Sequence, residues 1–499
     1  MSPVTVATTK LETYFQPFRQ NIIGVDQLFQ SPYGVKPIIY ADWTASGRLY
    51  RPIEAVMSDQ IAPFVGNTHT ETTITGCSMT MAYKHAKAYI KQEVGAHPTD
   101  VLISSNSGMT GVVNKFQRIL GLKLHEKFRR KIKLTDEERP VVFVSHMEHH
   151  SNQTSWLETI VDVEVIKPDE EGLMCLEHLN ELLELYKDRP VKIAAITSCS
   201  NVTGLKTPYH EVAEAMHQVG GLCFVDFACS APYIDIVMRP ANEAQHLDAI
   251  YFSPHKFLGG PGSSGILIFD PKLYKNQVPD NPGGGTVDWT NPWGEHKYID
   301  EIETREDGGT PSFLQTMRVA LCMKLKAEMG VANILRREEE LLEKIWTRLD
   351  KIPNLQIMAP QHRHRLGVIS FYIDDLHYNL GVKLLNDHFG VQVRGGCSCA
   401  GTYGHYLLNV SQPYSKQITD EISYGNLSAK PGWIRMSFHP TTTDQEMDYI
   451  LDAIEQVAKH FNEWKQDYRY DLKTNEFIHL SGVSEETKLV EEWFNCSLV

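Results

Sequence analysis

The sequence predicts an α/β protein: a large domain built on a mainly parallel seven-stranded sheet, followed by a smaller α+β domain. Three observations carry this expectation. Short β-branched runs alternate with amphipathic stretches between about residues 100 and 270. The runs are apolar almost throughout, as strands covered on both faces must be. Beyond the Gly- and Pro-rich segment Pro279–Thr286 the pattern changes character.

The expected strands of the large sheet are Val101–Ile103, Val141–Val144, Val163–Ile166, Ile193–Ile196, Leu222–Val225, Ala249–Phe252 and Ile266–Phe269. Between them, helical spacing lines up Val112, Val113, Phe116, Ile119 and Leu120 on one face. Leu176, Leu179, Leu182 and Leu183 form a second face, and Val212, Ala215 and Met216 a third. After Pro311 a long helical pattern runs to about Leu349 with a break at Gly330; its charged run Arg336 to Glu340 reads as a solvated face. Val368–Ile373, Val391–Arg394 and Ile434–Phe438, with a helix over Asp444–Phe461, complete the smaller domain. The polar stretches Lys123–Arg139 and Tyr403–Pro431 read as surface excursions, the second placed where function could be gated. The expected divisions are an N-terminal arm over 1–35 packing with the small domain, a large domain over 36–315, a small domain over 316–475 and a tail over 476–499.

A formal net charge of −14 argues against nucleic acid or an anionic membrane surface as the main partner. No apolar run approaches the roughly 20 residues of a membrane span, and the first thirty residues lack the pattern of a secretory signal. Nine scattered cysteines without paired CxxC motifs give no metal signature and suit a reducing cytoplasm.

Three short segments sit where strand ends meet loops. Ser253-Pro254-His255-Lys256 follows an expected strand and precedes Gly259-Gly260-Pro261-Gly262; a lysine there can form a Schiff base beside phosphate-binding neighbours. Asp226 ends the strand before it, a position suited to a carboxylate pairing with a protonated ring nitrogen. Ser107-Gly108-Met109-Thr110 opens a helix, where backbone N–H groups bind phosphate, although a simple helix cap explains the same residues.

Taken together, and in consistent order from about Ile39 to Ala458, these segments resemble the class V aminotransferase family of fold-type I pyridoxal-5′-phosphate (PLP) enzymes, in particular its cysteine desulfurase and selenocysteine lyase branch. Tyr40-Ala41-Asp42-Trp43-Thr44-Ala45-Ser46 resembles the opening Y-L-D-x-A-A, and Gly66-Asn67-Thr68-His69 the N-P-H segment. Glu148-His149-His150-Ser151-Asn152 resembles E-H-H-x-N, which implies that His149 stacks on the cofactor ring. Ser200-Asn201-Val202-Thr203-Gly204 resembles S-N-x-x-G, implying contact of Asn201 with the phenolic oxygen. The resemblance makes Asp226 the ring-nitrogen partner and Lys256 the Schiff-base lysine. It makes Gly108, Met109, Thr110, Ser253 and His255 phosphate-side residues. Gly309-Thr310-Pro311 resembles a G-T-P segment reaching the neighbouring subunit's phosphate, which implies a homodimer and a role for Thr310. Arg435 matches the arginine that grips the substrate carboxylate.

Arg394-Gly395-Gly396-Cys397-Ser398-Cys399-Ala400 resembles R-x-G-x-x-C-A, in which the cysteine accepts sulfur; the matching residue is Cys399. In an extended segment Cys397 and Cys399 would face one pocket. The resemblance thus implies an enzyme that takes sulfur from an amino acid through a persulfide and passes it to a protein acceptor. A class V aminotransferase or other lyase with a different amino acid, and a catalytically silent PLP-binding scaffold, are the alternatives. Two departures bear on reactivity: Cys229 stands where desulfurases usually carry glutamine, and Met109 where Thr or Ala is usual.

Overall fold

The computed structural model describes residues 11–129, 131–482 and 485–498; residues 1–10 of the expected arm and 483, 484 and 499 of the expected tail lie outside the described residues. All seven expected strands form, as β1 (Val101–Ser105), β2 (Val141–Ser145), β3 (Asp162–Ile166), β4 (Lys192–Thr197), β5 (Leu222–Asp226), β6 (Ala249–Phe252) and β7 (Gly265–Phe269). They join in the order β1-β7-β6-β5-β4-β2-β3. Neighbours from β6 across to β3 are parallel, and β7 runs antiparallel to both β1 and β6.

Successive side chains on a strand point to opposite faces, and here they divide between two cores. Val142, Val144, Ile193, Phe224 and Tyr251 pack beneath the helix Gly108–Ile119. Val141, Phe143, Ala194, Val225 and Ile250 face the other way, under the helices Leu176–Leu185, Tyr209–Gln218 and Phe313–Met329. The sheet is therefore covered on both sides, as the unbroken apolar runs require. On Tyr209–Gln218 the buried face runs through Val212, Ala213 and Met216, and Ala215 is only half-buried.

The helices Phe313–Met329 and Val331–Leu349 meet at Gly330, whose φ of +73° ends the first helix at the expected break. The charged run after it is a solvated face only in part: Arg336, Glu339 and Glu340 are exposed, but the two residues between them are not. Arg337 and Glu338 are each 2% exposed, because the helical period turns them inward with Ile334 and Leu341. Arg337 donates to the Thr442 carbonyl and to Asp444 (2.9 Å each), and Glu338 accepts the Gly367 N–H.

A second, antiparallel sheet contains β8 (Leu355–Ile357), β9 (Val368–Ile373), β10 (Arg394–Gly396) and β11 (Trp433–Ser437), in the order β8-β9-β11-β10. It shares a core with Val331–Leu349, Tyr378–Phe389 and Asp444–Trp464, the last running one turn beyond expectation. The single strand expected over Val391–Arg394 is divided: Val391–Gln392 pairs in parallel with Ile39–Tyr40, and Arg394–Gly396 pairs with β11. The N-terminal helix Leu11–Gln20 buries Phe15 in the large core and ties Arg19 to Glu446 at 2.7 Å. Tyr403–Pro431 is more than a polar excursion. It contributes to the helices Gly401–Leu407 and Gln412–Ser423, and buried Tyr403 lies 3.2 Å from the Thr203 hydroxyl. Among the described residues no helix is long and apolar enough to cross a membrane.

Phe224 is fully buried, with its ring 5.0 Å from Phe116. We expect Phe224→Ala to lose about 3–5 kcal/mol of stability, read as a lower urea midpoint. Leu185→Ala, at a position 72% exposed, should leave that midpoint nearly unchanged.

Candidate active site

Strands buried on both faces can place polar side chains only past their ends, and here the carboxyl ends converge. The segment after β1 brings Gly108, Met109 and Thr110; after β2 comes His149; after β4, Asn201; at the end of β5, Asp226; after β6, Ser253, His255 and Lys256. With β10 and β11 closing the far side, they bound a cavity of about 420 Å³. Met109, Thr110, His149, Asn201, Asp226, Ser253, His255, Lys256, Cys397, Cys399 and Arg435 all line it.

On the phosphate side, Ser107 makes no side-chain cap to its helix. Instead the Met109 N–H donates to the Ser253 hydroxyl at 3.0 Å, and Thr110 and Ser151 hydroxyls meet at 2.7 Å. The helix start is thus open toward the cavity. A Cβ on Gly265 would lie 2.1 Å from the Gly108 carbonyl, so this strand end and the loop approach as closely as they do only because position 265 is glycine. Gly108 itself shapes the loop from just behind the lining.

The electrostatics follow from burial. Asp226 is 3% exposed, and desolvation raises its pKa to about 6 against the opposing Ala228 N–H and Lys256. One of its oxygens accepts that N–H at 2.8 Å; the other has no hydrogen-bond partner among the described residues. Lys256 is lowered from the ordinary lysine value, chiefly by burial, with Asp226 and Cys229 pulling the other way. Burial, followed by Lys256, His150 and Arg435, holds His149 down at about 3. Its ring is therefore neutral, with Nδ1 accepting the Ser151 N–H at 3.1 Å. His255 is likewise brought down to about 4 by burial and Lys256.

Arg435 is 3% exposed. One terminal nitrogen donates to Asp42 at 2.8 Å and the other to the Asn201 carbonyl at 3.1 Å. Its Nε is buried without a partner among the described residues. Asp42 also accepts from Arg394 Nε at 3.0 Å. Asp42 sits inside the opening motif, but its pairing across 393 residues has no sequence signal. Nor has Lys430, which the segment after Gln412–Ser423 brings to the cavity wall.

The two cysteines reach the cavity by a different route from the expected extended segment. Ser398 and Cys399 have φ of +52° and +56°, so the chain turns sharply there. Four hydrogen bonds hold the turn: Asn201 Nδ2 to the Ser398 carbonyl (2.7 Å), Trp433 Nε1 to the Ser398 hydroxyl (3.1 Å), the His150 N–H to the Cys399 carbonyl (2.7 Å) and the Gly401 N–H to His150 (3.0 Å). Cys399 is exposed and Cys397 half-buried. Cys229 also lines the cavity, beside Cys199; both thiols point at the Ser200 carbonyl (3.7 and 3.6 Å). Thr310 is exposed and lies outside this chain's own cavity.

The residues present fit PLP. An open helix start with hydroxyls suits a phosphate, a buried carboxylate with a spare oxygen suits a ring N–H, and a neutral imidazole suits a flat ring. A lysine of lowered pKa faces the same space, and the orphaned Arg435 Nε suits a carboxylate.

A covered, mainly parallel sheet with its polar residues gathered at the strand ends defines an α/β enzyme fold, and comparison with known proteins makes it that of a PLP-dependent enzyme. The family model for Aminotransferase class-V matches residues 39–450; the chain belongs to that family. It is 26% identical over 431 residues to a probable cysteine desulfurase of Staphylococcus aureus, covering 86% of this chain and 94% of that protein. It is 25% identical over 433 residues to a cysteine desulfurase of Haloferax volcanii, covering 85% and 90%. In structure it resembles the apo cysteine desulfurase from Thermococcus onnurineus (TM-score 0.72, 21% identity, 91% of this chain and 100% of that one). A cysteine desulfurase from Escherichia coli in an S-sulfonic acid form gives a TM-score of 0.68 at 19% identity, covering 91% and 99%.

The Asp226 pKa generates a pH prediction. With its folded pKa raised from 3.8 to about 6, the carboxyl takes up a proton as pH falls through that value and loses its attraction for a ring N–H⁺. PLP affinity, titrated by absorbance, should weaken between pH 7.5 and 5. Asp226→Asn should bind more weakly at pH 7.5 and lose most of this pH step.

Proposed function

We propose that this chain is a PLP-dependent cysteine desulfurase or selenocysteine-lyase-like enzyme. It would take the sulfur of L-cysteine onto Cys399 as a persulfide and release alanine. The observation that carries the reading is the single cavity onto which Lys256, Asp226, His149 and Arg435 converge, with an exposed cysteine at its mouth. The names of the relatives point the same way.

Lys256, Asp226, His149, Asn201, Met109, Thr110, Ser253 and His255 would hold PLP, which when bound supplies the electron sink for chemistry at the substrate Cα. Arg435 grips the substrate carboxylate, trading its Asp42 contact for a bidentate one that employs the orphaned Nε. Lys256, whose burial makes it a weaker base than an ordinary lysine, is placed to take the Cα proton at its Nζ. His149, held neutral by burial, would face the ring without adding charge. The Cys399 thiolate attacks the substrate sulfur. An S–S bond forms, the C–S bond breaks with its electron pair going to Cβ, Cβ takes a proton, and Lys256 Nζ returns its proton to Cα to give alanine. The exposed Cys399 turn leaves the persulfide open to an acceptor thiol on another protein, and Cys397 is placed beside it. The same reading makes the enzyme cytoplasmic and homodimeric, with the exposed Thr310 completing the partner's phosphate site.

Purified protein with PLP, given L-cysteine, should yield alanine and sulfide in the presence of a reducing thiol. Lys256→Ala should cut turnover by about 10²–10⁴-fold. Cys399→Ala should remove the protein-bound persulfide detected by mass spectrometry, and a persulfide of wild-type yield in that variant would overturn the assignment. Conversion of amino donors to 2-oxo acids, without sulfide, would instead place the chain among the aminotransferases. Arg435→Lys keeps the charge but loses the fork, and should raise KM for L-cysteine by about 10–100-fold.

A further inference from the structure

Two thiols in the cavity wall, Cys199 and Cys229, have no part in the reaction. Cys199 follows the end of β4 and Cys229 the end of β5, neighbouring parallel strands on which Thr197 lies opposite Asp226. Such strands run about 4.8 Å apart, inside the roughly 4.4–6.8 Å between Cα atoms that a disulfide spans. Beyond their ends the two segments stay joined. The Ser198 N–H and hydroxyl both donate to the Asp226 carbonyl, at 2.9 and 3.0 Å, and the Ser198 and Ser230 hydroxyls meet at 2.6 Å. The cysteines beside these serines converge likewise: both thiols aim at the Ser200 carbonyl, from 3.6 Å for Cys199 and 3.7 Å for Cys229.

Their surroundings make the two unequal. Cys199 is fully buried, whereas Cys229 is 5% exposed. The Cys199 thiol, followed by Lys256 and Arg435 on the cavity side, lowers the pKa of Cys229 against the effect of burial. Burial, followed by Cys229, raises that of Cys199. The more acidic sulfur therefore opens on the cavity, and its neighbour keeps its proton behind it. A dithiol divides in this way when one sulfur is oxidised and the other resolves it.

A third unused group belongs to the same cluster. Glu338 is buried, and its Oε2 has no partner among the described residues. Burial raises its carboxyl to about 8, and charge on Cys229 pushes the same way. At neutral pH it holds a proton that it can exchange. Cys229 in turn supports the charge of Lys256, so the state of this sulfur bears on the lysine of the site.

We propose that Cys199 and Cys229 are an oxidisable pair that closes to a disulfide in the cavity wall when hydrogen peroxide enters. The Cys229 thiolate attacks one peroxide oxygen: an S–O bond forms, the O–O bond breaks, and hydroxide leaves, giving a sulfenic acid. The Cys199 sulfur then attacks Cys229. An S–S bond forms, the S–O bond breaks, and the oxygen departs as water with the Cys199 proton. Altogether two thiols give up two electrons and two protons, and one peroxide becomes two waters. The test treats the holoenzyme with hydrogen peroxide, alkylates the remaining thiols, and maps unreduced peptides by mass spectrometry. Wild type should yield a Cys199–Cys229 crosslinked peptide and lose alkylation at both positions, with both thiols restored by dithiothreitol. Cys199→Ser should give no crosslink and leave a Cys229 sulfenic acid that dimedone traps. The exposed Cys399 and Cys496 report that peroxide has acted; their oxidation without a Cys199–Cys229 crosslink would overturn the proposal. Neither result depends on sulfide release, so the pair stands or falls separately from the proposed reaction.

Discussion

Arg435 is a permanent cation buried in the middle of a strand, and a buried charge must be paired or the fold pays heavily. Its two terminal nitrogens are satisfied from two distant parts of the chain, Asp42 near the N-terminus and the Asn201 carbonyl beyond β4. The Asn201 contact requires that β11 dock against the carboxyl end of the large sheet, and the Asp42 contact that the opening segment lie beside β11. Asp42 then reaches Arg394 as well, which sets β10 and the cysteine turn beside it. The cavity is therefore a consequence of how this guanidinium is compensated: its second wall is present because Arg435 needs partners that only the large sheet and the opening segment supply. The Nε is buried and takes no part in this compensation.

The first wall depends on a second buried polar group. Glu148 is fully buried and accepts from the Ser145 N–H (3.3 Å) and hydroxyl (2.5 Å), the Thr197 N–H (2.8 Å) and Asn152 Nδ2 (2.8 Å). Burial pushes its pKa up while these donors favour the ionised form. Through them it joins the ends of β2 and β4 to the helix that begins at His150, fixing the backbone that carries His149. Asn152 continues the network to the Tyr251 hydroxyl at 2.6 Å, on the strand that leads to Lys256. The positions of His149 and Lys256 are thus coupled through hydrogen bonds laid down beneath the cavity floor, and neither rests on a flexible loop.

Much of this was legible along the chain because it rests on local pattern. The seven apolar runs read as strands buried on both faces, and Gly330 as a break in a long helical pattern. Polar residues at the strand ends, Asp226 and Ser253 to Lys256 among them, stand out against apolar neighbours. Other features were not legible, for identifiable reasons. Arg337 and Glu338 read as surface charge because their partners, Thr442 and Gly367, come from elsewhere in the small unit. Cys397 and Cys399 have i, i+2 spacing, yet the φ of +52° and +56° at Ser398 and Cys399 is imposed by hydrogen bonds from Asn201, Trp433 and His150. The strand expected over Val391–Arg394 changes partners at Val393, which no periodicity records.

The sequence by itself determined the elements, their alternation and the residue types at the strand ends, because burial on both faces and helical periodicity act within a few residues of chain. Tertiary structure alone decided which of those ends share one space, what pairs with Arg435, and that the thiols of Cys199 and Cys229 meet at one carbonyl. Charge compensation and hydrogen-bond satisfaction act through space, between residues that the chain brings together only when both sheets have packed.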